Sequence, residues 1–241
     1  YTFSFTAKIK DTAEAQTVNN AVTVGGLDSN VSFGPVVQAS EVLTKEVENL
    51  TRQDGSYCVG DTVKYPLTVD NMSSFNSIVP QPIVDVLPDE NDKGILDDNT
   101  RGSAWRMYLA STEFEYVLTD IMTGDEITPL PSITPYYNAD PNCIPKDSQG
   151  KYSLNSIDFT QWGWSATPPS DLTQVYAVAF KLDPKFQLKT GYELNIYMPL
   201  SVPIDVETGT YARSSFAISG YNMGASNPRF NRESTIVSAR V

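Results

Sequence analysis

Five carboxylate side chains crowd the acidic segment DENDKGILDD, and they are the clearest candidate ligands in the sequence. They are Asp89, Glu90, Asp92, Asp97 and Asp98. Ca²⁺ prefers such hard oxygen ligands, so the segment is a candidate calcium site, and no other cofactor is expected. The spacing does not match an EF-hand loop. The alternative interpretation is a solvated acidic loop at the end of a strand.

Histidine does not occur anywhere in the 241 residues. Its absence removes the imidazole on which most catalytic triads and proton shuttles depend. We therefore predict a protein that is not an enzyme. One catalytic hypothesis remains, a hydrolase that uses a pair of acids such as Asp89 and Glu115. It requires both carboxylates to face one cleft.

The charge of the chain narrows the classes of partner. Acidic residues number 29 and basic residues 17, which gives a net charge of −12. A field of this sign repels phosphate backbones and anionic membranes, so we expect no nucleic acid partner. No segment approaches the roughly 20 apolar residues of a membrane span, so we expect no membrane insertion of this segment.

Two pairs of aromatic residues could bind a ligand. Trp162 and Trp164 in QWGW would lie on one side of an extended chain, and Tyr136 and Tyr137 lie in a Pro-rich segment. Paired aromatic rings on a β-surface can stack on sugars, so the alternative function is a glycan- or host-protein-binding module. The same rings also fill sandwich cores. We expect packing, and no tight sugar site at Trp162 and Trp164.

Periodicity predicts an all-β fold. The segment YTFSFTAKIK alternates apolar and polar residues, as a half-buried strand does. VYAVAFKL and GYELNIYMPLSV are rich in β-branched and aromatic residues. No segment of helical length shows helical periodicity with caps. Many short strands between Pro, Gly and Asn turns are typical of an antiparallel β-sandwich or barrel.

The chain divides into two patterns. Residues 1–37 contain about two strands, and a second pattern begins at EVLTKEVENL. We predict that residues 1–37 are terminal strands of a preceding or shared β-domain and that residues 38–241 form one large β-sandwich. Because the first residues start in mid-pattern, we expect a piece of a longer protein.

The segments VLTKEVEN, CVGDTVKYPLTVDN and PIVDVLP follow one another in this order. The series resembles the front half of the immunoglobulin-like repeats in Gram-positive surface adhesins and pilins. RGSAWRMYL and YARSSFAI then follow in the expected order, so the likeness covers roughly residues 40–240. It implies an Ig-like antiparallel sandwich, a stalk or adhesin repeat without catalysis. It also implies an extracellular place on the bacterial cell surface or wall, with neighbouring repeats, and host protein or glycan, as partners.

Many members of this family form a spontaneous isopeptide bond between lysine and asparagine. A buried lysine loses its proton and attacks an amide that a nearby acid polarises. Lys45 stands where the relatives' lysine stands, and Asp85 is the candidate acid. Ser214 occupies the place of the relatives' asparagine. The remaining candidate acceptors are Asn231, Asn222 and Asn20.

Strand alternation places Lys45 on the same face as Leu43 and Val47, the more apolar face of its segment. We therefore expect its side chain to point into the core or the interface between sheets. A lysine in this position has three alternatives. Its amine reaches solvent along the aliphatic stem, forms an ion pair with Asp85, or reacts with an asparagine to form the isopeptide bond. Since Ser214 replaces the asparagine, we favour the first two outcomes.

The exported class that the resemblance implies also bears on Cys58 and Cys143, the two cysteines of the chain. Cys58 precedes a strand, and Cys143 lies in a long loop that needs tethering. Exported proteins retain disulfides, so we predict that the two cysteines form one. The alternative is two separate thiols.

Overall fold

The computed structural model describes residues 17–24, 27–35, 42–51, 57–72, 77–223 and 229–241. The strands are β1 (Thr17–Val24), β2 (Leu27–Pro35), β3 (Val42–Lys45), β4 (Glu48–Asn49), β5 (Thr62–Asp70), β6 (Ile78–Val86), β7 (Tyr108–Leu109), β8 (Glu115–Asp120), β9 (Ile133–Asn138), β10 (Ala177–Leu182), β11 (Tyr192–Ser201), β12 (Tyr211–Ser214), β13 (Phe216–Asn222), β14 (Arg229–Glu233) and β15 (Val237–Arg240). Two single 3₁₀ turns cover Leu154–Ser156 and Leu172–Gln174. Within these ranges, no helix has the length and apolar character needed to cross a membrane.

Two antiparallel sheets form the body of the molecule. One has the strand order β3–β5–β11–β7, with β4 also paired to β5 and β8 to β11. The other has the order β14–β13–β6–β10–β9. One hydrophobic core draws side chains from both sheets. The predicted all-β antiparallel sandwich is therefore confirmed.

β5 shows how the sequence produces this packing. Its side chains alternate strictly between buried and half-buried along Thr62–Asp70. The buried set comprises Val63, Tyr65, Leu67 and Val69. A strand with one apolar face can bury that face only against another layer. The opposing layer comes from β6, β10 and β13, whose inward side chains complete the core.

The outer face of the five-stranded sheet is buried as well. It carries small and β-branched residues, namely Val84, Val86, Ala177, Ala179 and Ala217. The long Pro- and Asn-rich loop after β9 packs over them with Cys143, Ile144, Leu154 and Trp164. Since β6 and β10 are covered on both faces, their sequences are almost continuously apolar rather than alternating.

Two pairs of strands lie outside the two large sheets. β12 pairs with β15, and β1 pairs with β2, in both cases antiparallel. Within the described residues, β1 and β2 form a sheet of their own. The segment YTFSFTAKIK, predicted as a strand, lies outside the described residues. The division of the chain at residues 37 and 38 stays a prediction.

Candidate functional site

Lys45 lies at the end of β3 and only 4% of it is exposed. Its Nζ atom donates hydrogen bonds to Oδ2 of Asp85 and, at 2.6 Å, to Oγ of Ser214. A further bond reaches the carbonyl oxygen of Ser215 at 3.4 Å. Because β3, β6 and β12 belong to three different sheets, the lysine amine joins all three.

Local alternation explains why these side chains meet. Lys45 pairs with Leu67 of β5 in register, so its side chain points toward the same core. On β6, Asp85 has the parity of Ile83 and Leu87, which face the interior between the sheets. Val84 and Val86 face outward into the second cluster. Neither Lys45 nor Asp85 has any exposed side-chain surface.

Burial controls the electrostatics of this site. Desolvation lowers the pKa of Lys45 to about 8, although the adjacent carboxylate of Asp85 favours the charged amine. The nearby Arg101 guanidinium lowers the pKa of Lys45 further. Nζ also lies 4.9 Å from the ring centroid of Tyr65, whose own pKa burial raises. The amine is thus held between a carboxylate, a hydroxyl and an aromatic face.

The contacts of Lys45 determine what it can do chemically. Ser214 offers a hydroxyl oxygen where an asparagine would offer a carbonyl carbon, so it cannot accept an attack by the amine. The only carboxyl group in contact with Nζ is Asp85 among the described residues. The arrangement is therefore a buried ion pair with a hydrogen-bonding serine.

The three candidate asparagines lie elsewhere. Asn231 is exposed on β14 and accepts a weak bond of 3.5 Å from Asn155. Asn222 faces Ile78, whereas Phe216 faces Asp85, so most of β13, about 20 Å, separates Asn222 from the carboxylate. Asn20 lies on β1, and its side chain is outside the described part of the chain. The described structure brings neither Asn231 nor Asn222 to Lys45.

Sequence reasoning missed a second layer of charge behind the pair. Arg101 is fully buried and forms an ion pair of 2.6 Å with Asp92. Its guanidinium also donates to the carbonyl oxygen of Val86 at 3.0 Å. Glu233 accepts a bond of 2.5 Å from Ser215, beside the lysine. The motif R-G-S held the only sequence signal for Arg101, and nothing in FNRES pointed to Glu233.

The structure does not support the candidate calcium site. Asp92 is committed to Arg101, and Asp98 contacts Lys93 at 3.3 Å and Lys146 at 3.4 Å. Asp97 accepts bonds from Asn99, while Asp89 accepts the amide of Glu90. Within the described ranges, no group of three or more acids, cysteines or histidines is placed to hold a metal ion. Basic side chains, backbone amides and the side chain of Asn99 already contact most of these carboxylates, so the calcium site stays a prediction that the structure does not support.

The predicted disulfide is wrong, since Cys58 and Cys143 are both free thiols. Cys143 is buried in the cluster on the outer face of the five-stranded sheet. Cys58 sits in the turn before β5, where its amide donates to Asp61 at 2.9 Å. The sandwich therefore separates the two sulfur atoms. Burial raises the pKa of the Cys143 thiol to about 12.

The four candidate ligand-binding aromatics do not share a surface. Trp164 is buried with an edge contact to Phe159, and Tyr137 is buried in the main core. Tyr136 packs on Phe159 with the ring centroids 4.4 Å apart. Trp162 alone is exposed, at 53%. The expected packing role therefore describes three of the four.

The acid pair proposed for a hydrolase is split between two places. Asp89 lies in the loop after β6, at the rim of a cleft that also contains Glu90 and Arg106. Glu115 is on the outer face of the six-stranded sheet, in an ion pair of 2.7 Å with Lys64. Glu115 does not line the cleft that Asp89 lines.

Comparison with known proteins gives neighbours of fold only. No family model and no curated protein matches the sequence. Among similar solved structures are BcpA, the major pilin subunit of Bacillus cereus (10% identity, 92% of this chain and 47% of that chain, TM-score 0.37), and domains D2 and D3 of the major pilin SpaD from Corynebacterium diphtheriae (12%, 81% and 51%, 0.38). ACE19, the collagen binding subdomain of the Enterococcus faecalis surface protein ACE, is another (10%, 83% and 96%, 0.37).

These neighbours are Gram-positive pilins and adhesins, the class that the sequence motifs resemble. The chain spans about half the length of the BcpA and SpaD structures, with 47% and 51% covered. At such identities and TM-scores the likeness concerns the fold alone.

Proposed function

We propose that this chain is a non-catalytic structural or adhesive module of a bacterial cell-surface protein, a stalk or adhesin repeat that works beside neighbouring repeats. The observation that carries the proposal is the ion pair between Lys45 and Asp85, sealed between the sheets. This contact between an amine and a carboxylate lies wholly inside the fold, where no substrate can reach it.

The burial of this pair argues against turnover. Both side chains have no exposed surface, so a substrate cannot reach the amine or the carboxylate without unfolding of the sandwich. Enzyme sites place their titratable groups in clefts instead. The absence of histidine from the whole chain agrees with a structural role.

The same pair suits a module that resists separation of its layers. β3 is the first strand of the six-stranded sheet in the chain, and Lys45 at its end binds β6 and β12 across the interior. Separating the sheets would first break this contact, and each charge would lie without its partner in an apolar interior until water entered. Removal of one partner from a buried ion pair typically costs about 3–5 kcal/mol.

The sequence motifs support the surface location. The ordered series from VLTKEVEN to YARSSFAI resembles Gram-positive surface repeats over most of the chain. Binding of glycan or host protein through the aromatic loops has less support, because Trp164 and Tyr137 are buried.

Single-molecule force spectroscopy tests the proposal. The chain is held between handle domains of known unfolding force, and wild type is compared with Lys45→Met. We expect the variant to unfold at a clearly lower force. The matched control is Lys64→Met, which removes a lysine of the same sheet whose pair with Glu115 is partly exposed.

Equal unfolding forces for wild type and Lys45→Met would contradict the proposal. A second variant, Lys45→Met with Asp85→Leu, covers the case in which the single variant does not fold. It replaces the ion pair by apolar groups and should fold. A mechanical role for the pair predicts that the unfolding force of this double variant also differs from that of wild type.

A further inference from the structure

A second pair of titratable groups lies on the outer face of the six-stranded sheet. Asp70 ends β5, Glu193 is near the start of β11, and the two residues are directly opposite each other in register. Val69 and Leu194, their neighbours, are fully buried. Strand alternation therefore turns both carboxyl groups to the outer face, where directly opposed side chains lie within contact distance.

The surrounding residues give these two carboxyl groups few hydrogen-bond partners. Oε1 of Glu193 accepts a bond from the side-chain amide of Asn195. The amide oxygen of Asn195 in turn accepts a bond of 2.6 Å from Thr68. Oδ1 of Asp70 is buried and has no hydrogen-bond partner among the described residues. Two ionised carboxylates in this geometry would repel each other without compensation.

No cation neutralises the pair in the part of the chain that the structure describes, since neither Asp70 nor Glu193 takes part in an ion pair there. In register, Asp70 pairs with Val42 of β3, and Glu193 pairs with Thr119 of β8. The charged or titratable groups on the described parts of the surrounding elements are Lys45, Glu48, Lys64, Tyr65, Glu115, Tyr116, Asp120, Asp125, Glu126, Lys189, Tyr192 and Tyr197. Lys64 forms an ion pair with Glu115, and Nζ of Lys189 lies 5.9 Å from the ring centroid of Tyr192.

We infer that Asp70 and Glu193 share one proton and act as an acid-stabilised clasp between β5 and β11. The clasp closes the end of the sheet at which β3 begins, since Val42 of β3 pairs with Asp70. In acid the shared proton bonds the two strands. When the shared proton is lost as pH rises, repulsion between the two carboxylates loosens this end of the sheet.

The pKa of Asp70 agrees with this geometry. Burial, followed by the hydrogen bond with Glu193 and its charge, raises the pKa of Asp70 to about 7. In the unfolded chain an aspartate titrates near about 4. Between these values the folded state binds more protons than the unfolded state, so stability falls as pH rises. The contribution is fully present below the unfolded pKa and is lost as pH rises through about 7.

Unfolding in urea, measured for the whole chain from about pH 4 to about pH 8, tests the clasp in wild type and Asp70→Asn. The variant keeps a permanent donor toward Glu193. We expect its unfolding constant, relative to that of wild type, to fall by up to about tenfold for each pH unit within the window. Asp125→Asn, which changes an exposed acid of a nearby turn, should leave the wild-type profile unchanged.

Carbon-13 NMR of the carboxyl groups gives an independent readout on folded wild type. We expect one of the two carboxyl signals to titrate near neutral pH, and this titration to disappear in Asp70→Asn. Parallel pH profiles of wild type and Asp70→Asn would overturn the inference. So would complete titration of both carboxyl groups below about pH 5.

Discussion

Lys45 on β3 and Asp85 on β6 form an ion pair across the interior of the sandwich, and neither side chain has any exposed surface. Ser214 of β12 completes the contact at 2.6 Å from the lysine amine. A buried pair of this kind does not raise stability merely by being present, because desolvation offsets much of the Coulomb attraction. Its consequence is that neither partner can be removed alone without leaving an unpaired charge.

The first prediction concerns this interdependence. Lys45→Met should lower the free energy of unfolding by about 3–5 kcal/mol, because Asp85 is left buried and charged. Asp85→Leu should cost a similar amount for the converse reason. The double variant should recover most of the loss. Urea unfolding of the four proteins measures the coupling, and additive losses in the double variant would argue against a direct pair.

The second prediction concerns a variant that places an asparagine, the acceptor of an isopeptide bond, beside Lys45. Ser214→Asn places an amide beside a lysine whose pKa burial has lowered to about 8, with Asp85 as the acid. We expect part of the purified variant to be lighter than its sequence mass by one ammonia, through an amide bond between Lys45 and the introduced asparagine. Ser214→Ala is the matched control and should keep its sequence mass. A folded Ser214→Asn protein of full mass would show that the geometry does not permit the reaction.

The third prediction separates the two tryptophans of QWGW. Trp164 is 7% exposed and packs in the outer cluster, so Trp164→Ala should lower the free energy of unfolding by about 3–5 kcal/mol. Trp162 is 53% exposed, and Trp162→Ala should change it by about 0.5 kcal/mol or less. Thermal or urea unfolding distinguishes them. If Trp162→Ala abolished binding to a defined glycan in a folded protein, the aromatic-loop interpretation would replace the structural one.

The sequence allowed a good prediction wherever local alternation decides the outcome. In β3, a period of two fixes the buried face and hence the inward direction of Lys45. β6 is buried on both faces around Asp85, so alternation gave no such signal for that residue. The same logic failed at QWGW because the chain is not extended there. Trp162 and Gly163 have φ values of 60° and 77°, which turn the chain and send the two indoles to different environments.

Contacts between residues far apart in the chain could not be predicted from the sequence. Arg101 binds backbone carbonyls and Asp92, and Glu233 reaches the site from β14. Such partners are selected by tertiary packing rather than by spacing along the chain. The disulfide prediction failed for the same reason. The length of the loop suggested a covalent tether, but tertiary packing places Cys143 in the cluster on the outer face of the five-stranded sheet.

The intact mass of the wild-type chain, measured after denaturation and reduction, tests the central claim most directly. A noncovalent Lys45–Asp85 pair predicts the mass of the unmodified sequence. A mass lower by one ammonia would reveal a lysine–asparagine bond, and a mass lower by one water would reveal an amide between Lys45 and Asp85. Either loss, mapped to a peptide containing Lys45, would contradict the claim that this pair is held by charge alone.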